Sequence, residues 1–475
     1  MRRNTKIVAT YGPAIATDEK LGKTLEAGAD VIRLNLSHGD HASHAKAVKQ
    51  VRAMAARLGR QIGLLLDLRG PKIRVGQLAQ ERLELRDGET ILLTDQPTPA
   101  QERSLPIEGY PHLAADVKPG EPILLDDGAV ALEVTEVRGD AIACRVVSGG
   151  PVSWRKGVNL PATNLSTLQI PTEKDWQDLA FGLEQGVDWV ALSFVRGAAE
   201  IRRLQERIAQ QGAQVPVIAK IEKREALREL DSIVEAADGI MVARGDLGVE
   251  TNLEEVALRQ KEIIAACNRA GKVVITATQM LESMITRSSP TRAEVADVSN
   301  AIFDGTDAIM LSGETSVGAH PVESVSFMAR IAERTESRLD VNRMLRQGPF
   351  LSGVPDAVAH AACVTARQIS ADALLCLTRS GLTARLVSRY RPCCPILAVS
   401  PNLATVRQLS LIWGVQALHL DADLHGESLI EQALRLAQAS GRVTTGNRVV
   451  ITAGVSAGAL RGQTNLVRVE EIRPR

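Results

Sequence analysis

From the N-terminus to about position 312 the chain carries short apolar runs of strand length: Lys6–Thr10, Val31–Leu36, Gly63–Leu68, Trp189–Val195, Val217–Glu222, Gly239–Ala243, Val273–Thr278 and Ala308–Ser312. Amphipathic segments separate most of them. Val48, Val51, Ala55 and Leu58 fall on one helical face between the second and third runs, and Thr291 with Glu294 forms a capping box between the seventh and eighth. Strands alternating with helices in this number predict a (β/α)8 barrel. Between Lys72 and Thr167 the pattern changes to period two, as in ALEVTEV and AIACRVV, with turn residues at Asp126, Asp127 and Gly128 and at Arg138, Gly139 and Asp140. This predicts an inserted all-β domain over 72–167 that divides the barrel into 1–71 and 168–347. Because it leaves the barrel at the carboxyl end of the third strand, it is placed to act as a lid.

A last barrel helix is expected near Pro321–Met344, and a Gly/Pro-punctuated segment, Gly348–Pro355, follows it. Beyond lie the strands Leu374–Thr378, Ile396–Ser400, Val415–Asp421, Val449–Ala453 and Val467–Glu471, alternating with helices such as Glu427–Ala439. They predict a C-terminal open α/β domain over 356–475. A length of 475 residues fits two or three domains, and 3% aromatics with abundant aliphatics suits strand and helix layers. Lys plus Arg equals Asp plus Glu at 56 each, which removes any global pull toward nucleic acid or an acidic membrane. The six cysteines have no CxxC spacing, Cys393 and Cys394 being adjacent, and read as reduced thiols. With no apolar leader and no run of membrane-spanning length, a cytoplasmic protein is expected. Neither a GxGxxG fingerprint nor a GxxxxGK[ST] phosphate loop is present.

Candidate chemistry concentrates at strand ends, where parallel α/β folds bind ligands. The stretch from Pro216 to Glu250 is a strand–helix–strand unit with a helical segment at Arg224–Ala236. Its first strand ends in Lys220 and Glu222, which share one side of an extended chain, and its second in Arg244, Asp246 and Glu250. Two carboxylates, Glu222 and Asp246, without nearby His or Cys suit Mg²⁺ or Mn²⁺, and a lysine beside them suits a phosphoryl group or an enolate oxygen. Gly245 and Gly248 flank Asp246 in a turn that offers backbone N–H groups to an anion. A buried salt bridge from Lys220 to either acid is the competing reading. On the second strand Arg33, Asn35 and Ser37 alternate onto one face. After the third, Asp67 precedes Arg69, Lys72 and Arg74, a basic group that is either a phosphate site or a solvated rim. Thr278 ends the seventh strand, as a proton relay or a helix cap. His38, alone near a strand end, reads as structural.

The motifs KIVATYGPA, VIRLNLSHG, LDLRGPKIR, KGVNLP, LSFVR, AKIE, MVARGDLGVE, ATQMLESM, PTRAEVADVSNAIFDG and LSGETSVG stand in one order along the chain. Together they resemble the pyruvate kinase family over essentially the full length. The resemblance implies a phosphotransferase that moves the phosphoryl group of phosphoenolpyruvate to ADP. By motif, Glu222 and Asp246 hold the divalent ion, and Lys220 stabilises the transferring group and the enolate. Arg33 and Arg74 contact phosphate, Gly245 and Asp246 with Thr278 hold the substrate carboxylate, and Thr278 joins the relay that protonates the enolate. Pro13, Asn35, His38, Arg74 and Lys156 match nucleotide-side positions, with Asp127 a weaker candidate from the lid.

Family members that need K⁺ carry Thr-Lys-Gly-Pro-Glu after this aspartate, whereas the present run is Leu68-Arg69-Gly70-Pro71-Lys72. The resemblance is to a potassium-independent branch, in which the Lys72 ammonium near Asn35, Ser37 and Asp67 supplies the missing charge; an outward-turned Lys72 is the alternative. The C-terminal region resembles the family's effector domain, with Thr378, Arg379, Ser380, Gly381 and Thr383 as a phosphate cradle for AMP or a sugar phosphate. The loop Gly454–Gly462 lacks the tryptophan often seen in members that answer to fructose 1,6-bisphosphate. The family suggests a homotetramer. A pyruvate-releasing aldol lyase, or a non-catalytic paralogue, would share the barrel.

Overall fold

The computed structural model describes residues 3–78, 80–94, 103–341, 345, 353–421, 426–454 and 464–473. Eight parallel strands close into a barrel, each paired with its sequence neighbours and the last with the first. They are Lys6–Thr10, Val31–Asn35, Gly63–Asp67, Trp189–Leu192, Val217–Ile221, Gly239–Ala243, Val273–Ala277 and Ala308–Leu311, the eight runs of the apolar pattern. Strands covered on both faces cannot alternate apolar with polar, so they read as continuous apolar stretches. Parity still sorts their side chains. Ile7, Ile32, Leu64, Leu66, Val190, Ala219, Val242 and Ile309 pack outward on the helices, while Val8, Leu65, Ala191, Ile218, Met241, Ile275 and Met310 fill the interior. The helical segment after the fifth strand is broken at Glu229 into Arg224–Arg228 and Leu230–Ala236, and the last barrel helix spans Pro321–Glu336.

The inserted region is a seven-stranded sheet with a further two-stranded sheet, closed over its own apolar core. Its two period-two segments are the antiparallel pair Val130–Arg138 and Ala141–Ser148. The predicted turn at Asp126–Gly128 has three successive residues with positive φ. One four-residue helix, Leu113–Asp116, interrupts the strands. At the C-terminus, Ala373–Leu377, Ile396–Ser400, Val415–His419, Arg448–Ala453 and Leu466–Glu471 form a five-stranded sheet whose last strand alone is antiparallel to its neighbour. Residues 455–462 of the loop discussed above lie outside the described residues. Among the described residues no helix is long and apolar enough to cross a membrane.

The C-terminal domain docks on the face where the barrel strands begin. The short turn Leu409–Leu411 and Ile412 belong to the same apolar cluster as Val8, Leu65 and Trp189 inside the barrel. Gly63 admits this approach, since a Cβ there would stand 2.5 Å from Ser410 Oγ and 3.2 Å from the Arg407 carbonyl oxygen. Polar contacts surround the seam: Lys6 Nζ donates to the Val415 carbonyl at 2.7 Å and Trp189 Nε1 to that of Gln408 at 3.1 Å. Leu411→Ala removes a fully buried side chain and should cost about 2–5 kcal/mol. Calorimetry should show barrel and C-terminal domain shifting together to lower Tm; a shift confined to one of two separate transitions would show that the core is not shared.

Candidate active site

Parity that puts Val31, Leu65, Ala191 and Ile218 inside the barrel also puts Arg33, Asp67, Ser193 and Lys220 there, one pleat higher at the carboxyl ends. The interior fill therefore changes from apolar to ionic at the mouth. Asp67, 1% exposed, is the pivot: its Oδ2 accepts from Arg33 Nε at 2.6 Å and its Oδ1 stands 3.4 Å from Lys220 Nζ. Lys220 Nζ also reaches Glu222 Oε1 at 2.8 Å and donates to Ser193 Oγ at 2.7 Å, while Ser193 donates to the Leu68 carbonyl. Arg33 extends the layer to Thr10 Oγ1 at 3.1 Å. Lys220 thus makes the ion pair that competed with a catalytic reading, and the pair opens onto the barrel mouth.

Burial acts to discharge the Lys220 ammonium, but Asp67 and Glu222 outweigh it and raise its pKa above the ordinary lysine value. Burial would raise Asp67, yet Lys220 and Arg33 hold it below the usual carboxylate value. Burial dominates at Glu222, and although Lys220 pulls the other way, with nearby Asp246 adding to the rise the carboxyl lies above its ordinary value. Asp246, half-buried, makes no hydrogen bond or ion pair among the described residues. A partnerless carboxylate near a second, buried one is a fit for a hard divalent cation. Among the described residues no cluster of three or more His, Cys, Asp or Glu side chains could hold a metal, so the ion would take these two carboxylates and fill its remaining positions from water and substrate.

The seventh strand delivers Thr278 with φ of +67°, and Gln279 follows at +54°. A β-branched residue in the left-handed region stores strain of order 1–3 kcal/mol. Arg244 holds it there, donating to the Thr278 carbonyl from Nη2 at 2.8 Å and pairing with Asp297 at 2.7 Å. Thr278 Oγ1 donates to the Ala277 carbonyl and accepts the Gly245 N–H at 2.8 Å, joining two residues expected to act on one substrate group. Phe194, also at positive φ, donates its N–H to Glu222 Oε2 at 2.6 Å. Ser193, Phe194 and Arg244 were not singled out for these roles by sequence reasoning. Strand-end position and parity together point to Ser193.

On the other side of the mouth His38 is exposed, and its imidazole is held below its ordinary pKa by partial burial and then by Arg74, Lys72, Arg33 and Arg69. Four cations acting on one ring mark an electropositive rim suited to phosphate. Arg74, at the start of the inserted sheet, donates to the Arg155 carbonyl of the same domain at 2.7 Å, and Lys156 pairs with Asp126 at 2.9 Å. Asn35 Oδ1 accepts the Ser37 N–H at 3.2 Å, Pro13 is exposed at the start of a short turn, and Asp127 is exposed beside the inserted domain's Gly157. Lys72 Cε lies 3.7 Å from where a Gly157 Cβ would be, and Lys72 makes no bond to Asn35, Ser37 or Asp67. It lines a cleft between barrel and inserted domain, with Asn159, Phe194, Lys223 and Asp246 on its walls. The same seam is pinned by the buried Glu250, which takes Lys223 at 2.7 Å and the inserted domain's Asn159 at 3.1 Å. In the C-terminal domain Thr378 Oγ1 accepts the Gly381 N–H at 2.9 Å ahead of the helix Leu382–Arg389, the Arg379 carbonyl accepts from Thr405, the Ser380 carbonyl faces Arg385, and Thr383 is buried against Thr464.

A (β/α)8 barrel with an ionic layer at its mouth, an unpaired carboxylate and an inserted domain overhead is the architecture of a barrel enzyme suited to anionic substrates. Family profiles for "Pyruvate kinase, barrel domain" and "Pyruvate kinase, alpha/beta domain" match residues 2–325 and 356–470. The chain is 48% identical to pyruvate kinase 2 of Synechocystis over 99% of its own length and 80% of that protein's. It is 40% identical to the pyruvate kinase of Clostridium acetobutylicum over 99% and 100% of the two chains. A crystal structure of a pyruvate kinase from Cryptosporidium parvum superposes with a TM-score of 0.92 at 36% identity, covering 99% of this chain and 96% of the other. The chain belongs to the pyruvate kinase family, and with it to the phosphotransferases.

Asp67→Asn leaves Arg33 and Lys220 buried without their shared anion. It should cost about 3–5 kcal/mol of stability and at least a hundredfold in kcat/KM. Denaturant melts and steady-state rates check both; a variant of unchanged stability would remove Asp67 from the centre of the layer.

Proposed function

We propose that this chain transfers the phosphoryl group of phosphoenolpyruvate to ADP, giving pyruvate and ATP, as a cytoplasmic step of glycolysis. The observation that carries this reading is the Lys220 ammonium, held between Asp67 and Glu222 beside Arg33 and near the unpaired Asp246 carboxylate. Arg33 and Arg74 take the phosphate. The Gly245 and Asp246 amides with the Thr278 hydroxyl take the substrate carboxylate, which competes for the Gly245 N–H now given to Thr278. With its pKa raised, Lys220 is a lasting charge and a poor acid. It offsets the negative charge of the transferring group and of the enolate left behind, while Thr278 Oγ1 belongs to the relay that protonates that enolate. Glu222 and Asp246 would hold Mg²⁺ or Mn²⁺, which would supply further charge neutralisation when bound.

Pro13, Asn35, His38, Arg74 and Lys156 form the nucleotide side, Asp127 joining them from the inserted domain, which closes to exclude water. Lys72 supplies the charge that K⁺ provides in relatives with glutamate there; its half-buried place at the mouth and its lack of an ion-pair partner among the described residues support this role. The working form is a homotetramer with no nucleic-acid or membrane partner. AMP or a sugar monophosphate at Thr378, Arg379, Ser380, Gly381 and Thr383 shifts it toward the active state through differential affinity for the two states.

Initial rates of pyruvate formation should be equal with tetramethylammonium or K⁺ as the sole monovalent cation. Lys72→Glu should be slow in tetramethylammonium and recover in K⁺; a wild-type rate that needs K⁺ would discard the Lys72 argument and keep the kinase. Lys220→Met should lower kcat by a factor on the order of 10²–10³ while phosphoenolpyruvate still binds by calorimetry. Undiminished turnover in that variant would refute the assigned role.

A further inference from the structure

One loop of the C-terminal domain carries chemistry that phosphoryl transfer does not use. All six cysteines are free thiols, and only Cys393 is exposed. It precedes the buried Cys394 between Pro392 and Pro395, on the loop joining the helix Leu382–Arg389 to the strand Ile396–Ser400. The neighbouring Cys394 thiol holds Cys393 below the ordinary thiol pKa, toward its reactive thiolate. Burial has the opposite effect elsewhere, pushing Cys144 up to about 12 and raising Cys267, Cys363 and Cys376. Cys363, which also neighbours the pair, is buried with its Sγ directed to the Val387 carbonyl at 3.8 Å.

We propose that Cys393 and Cys394 form a reversible dithiol site that is oxidised by hydroperoxides. The Cys393 thiolate attacks the peroxide, its sulfur–oxygen bond forms as the oxygen–oxygen bond breaks, and hydroxide or alkoxide leaves. Cys394 then attacks the sulfenic sulfur; a disulfide forms, the sulfur–oxygen bond breaks, and water departs with the Cys394 proton. An external dithiol reverses the change by exchange.

Adjacency gives the site a mechanical consequence. Consecutive Cα atoms lie about 3.8 Å apart, closer than the roughly 4.4 Å lower end for ordinary disulfides. Closing the ring must therefore distort the loop, and a strained disulfide is readily reduced. Two residues before Cys393, Arg391 crosses to the barrel. It donates to the Gly305 carbonyl at 2.8 Å, pairs with Asp307 at 2.8 Å and lies 4.7 Å from the Trp413 ring centre. Distorting the loop pulls on this crossing and weakens the hold between the domains.

The test uses the full chain with hydrogen peroxide in small excess. The peptide bearing Cys393 and Cys394 should become lighter by two hydrogens, two thiols should be lost per chain, and Tm should fall by several degrees, all restored by dithiothreitol. Cys393→Ser should abolish all three changes while keeping the basal rate, and Cys394→Ser should leave a sulfenic acid at Cys393 that dimedone traps. First oxidation at another cysteine, or a sulfinic acid at Cys393 with no preceding disulfide, would overturn the proposal. A disulfide that leaves Tm unchanged would overturn its coupling to the barrel.

Discussion

Everything at the barrel mouth depends on placing Arg33 and Lys220 against Asp67 and Glu222 on top of an apolar plug. Charges removed from water at this depth are tolerable only when each has a partner. The side chains here satisfy one another almost completely, through Asp67 between the two cations and Ser193 beside Lys220. Such a layer is set before any substrate arrives, so its dipoles need not reorganise when charge moves. The Asp246 carboxylate, which has no partner among the described residues, is where the arrangement remains open.

Two other parts of the chain make that layer possible. The C-terminal domain fills the lower end of the barrel with Leu409, Leu411 and Ile412 and so shields the interior from water. The inserted domain covers the opposite end, touching the barrel through Asn159 and Glu250 and through the basic residues after Asp67. The ionic layer and the C-terminal domain thereby stand at opposite ends of one packed interior. Strain at Thr278 and Phe194 belongs to the same scheme, because neighbours that also shape the site hold both residues in place.

Much of this was legible in the residues. Eight apolar runs announced the barrel because strands buried on both faces need continuous apolar stretches, and the change to period two announced the inserted domain because its sheets are covered on one face. Lys220, Glu222 and Asp246 stood out as ionisable groups ending such runs. Ser193 did not, since a serine at the end of an apolar strand carries no signal until parity places it beside Lys220. Arg244 was counted as a strand-end charge, and its clamp on the Thr278 backbone depends on a left-handed turn that no propensity predicts for threonine. The plug formed by Leu409–Leu411 was equally hidden, because a short apolar turn acquires meaning only from the surface it meets.

Gly63, with room for a hydrogen and little else, has a consequence for how such proteins diversify. The barrel has no floor of its own, so its lower rim and the Arg407–Ile412 segment are complementary halves of one surface. An exchange of C-terminal domains between relatives would transplant half of a core with them. The partners that can be recombined are those whose rim and turn have changed in step, and the ancestry of the two domains should be correspondingly hard to separate.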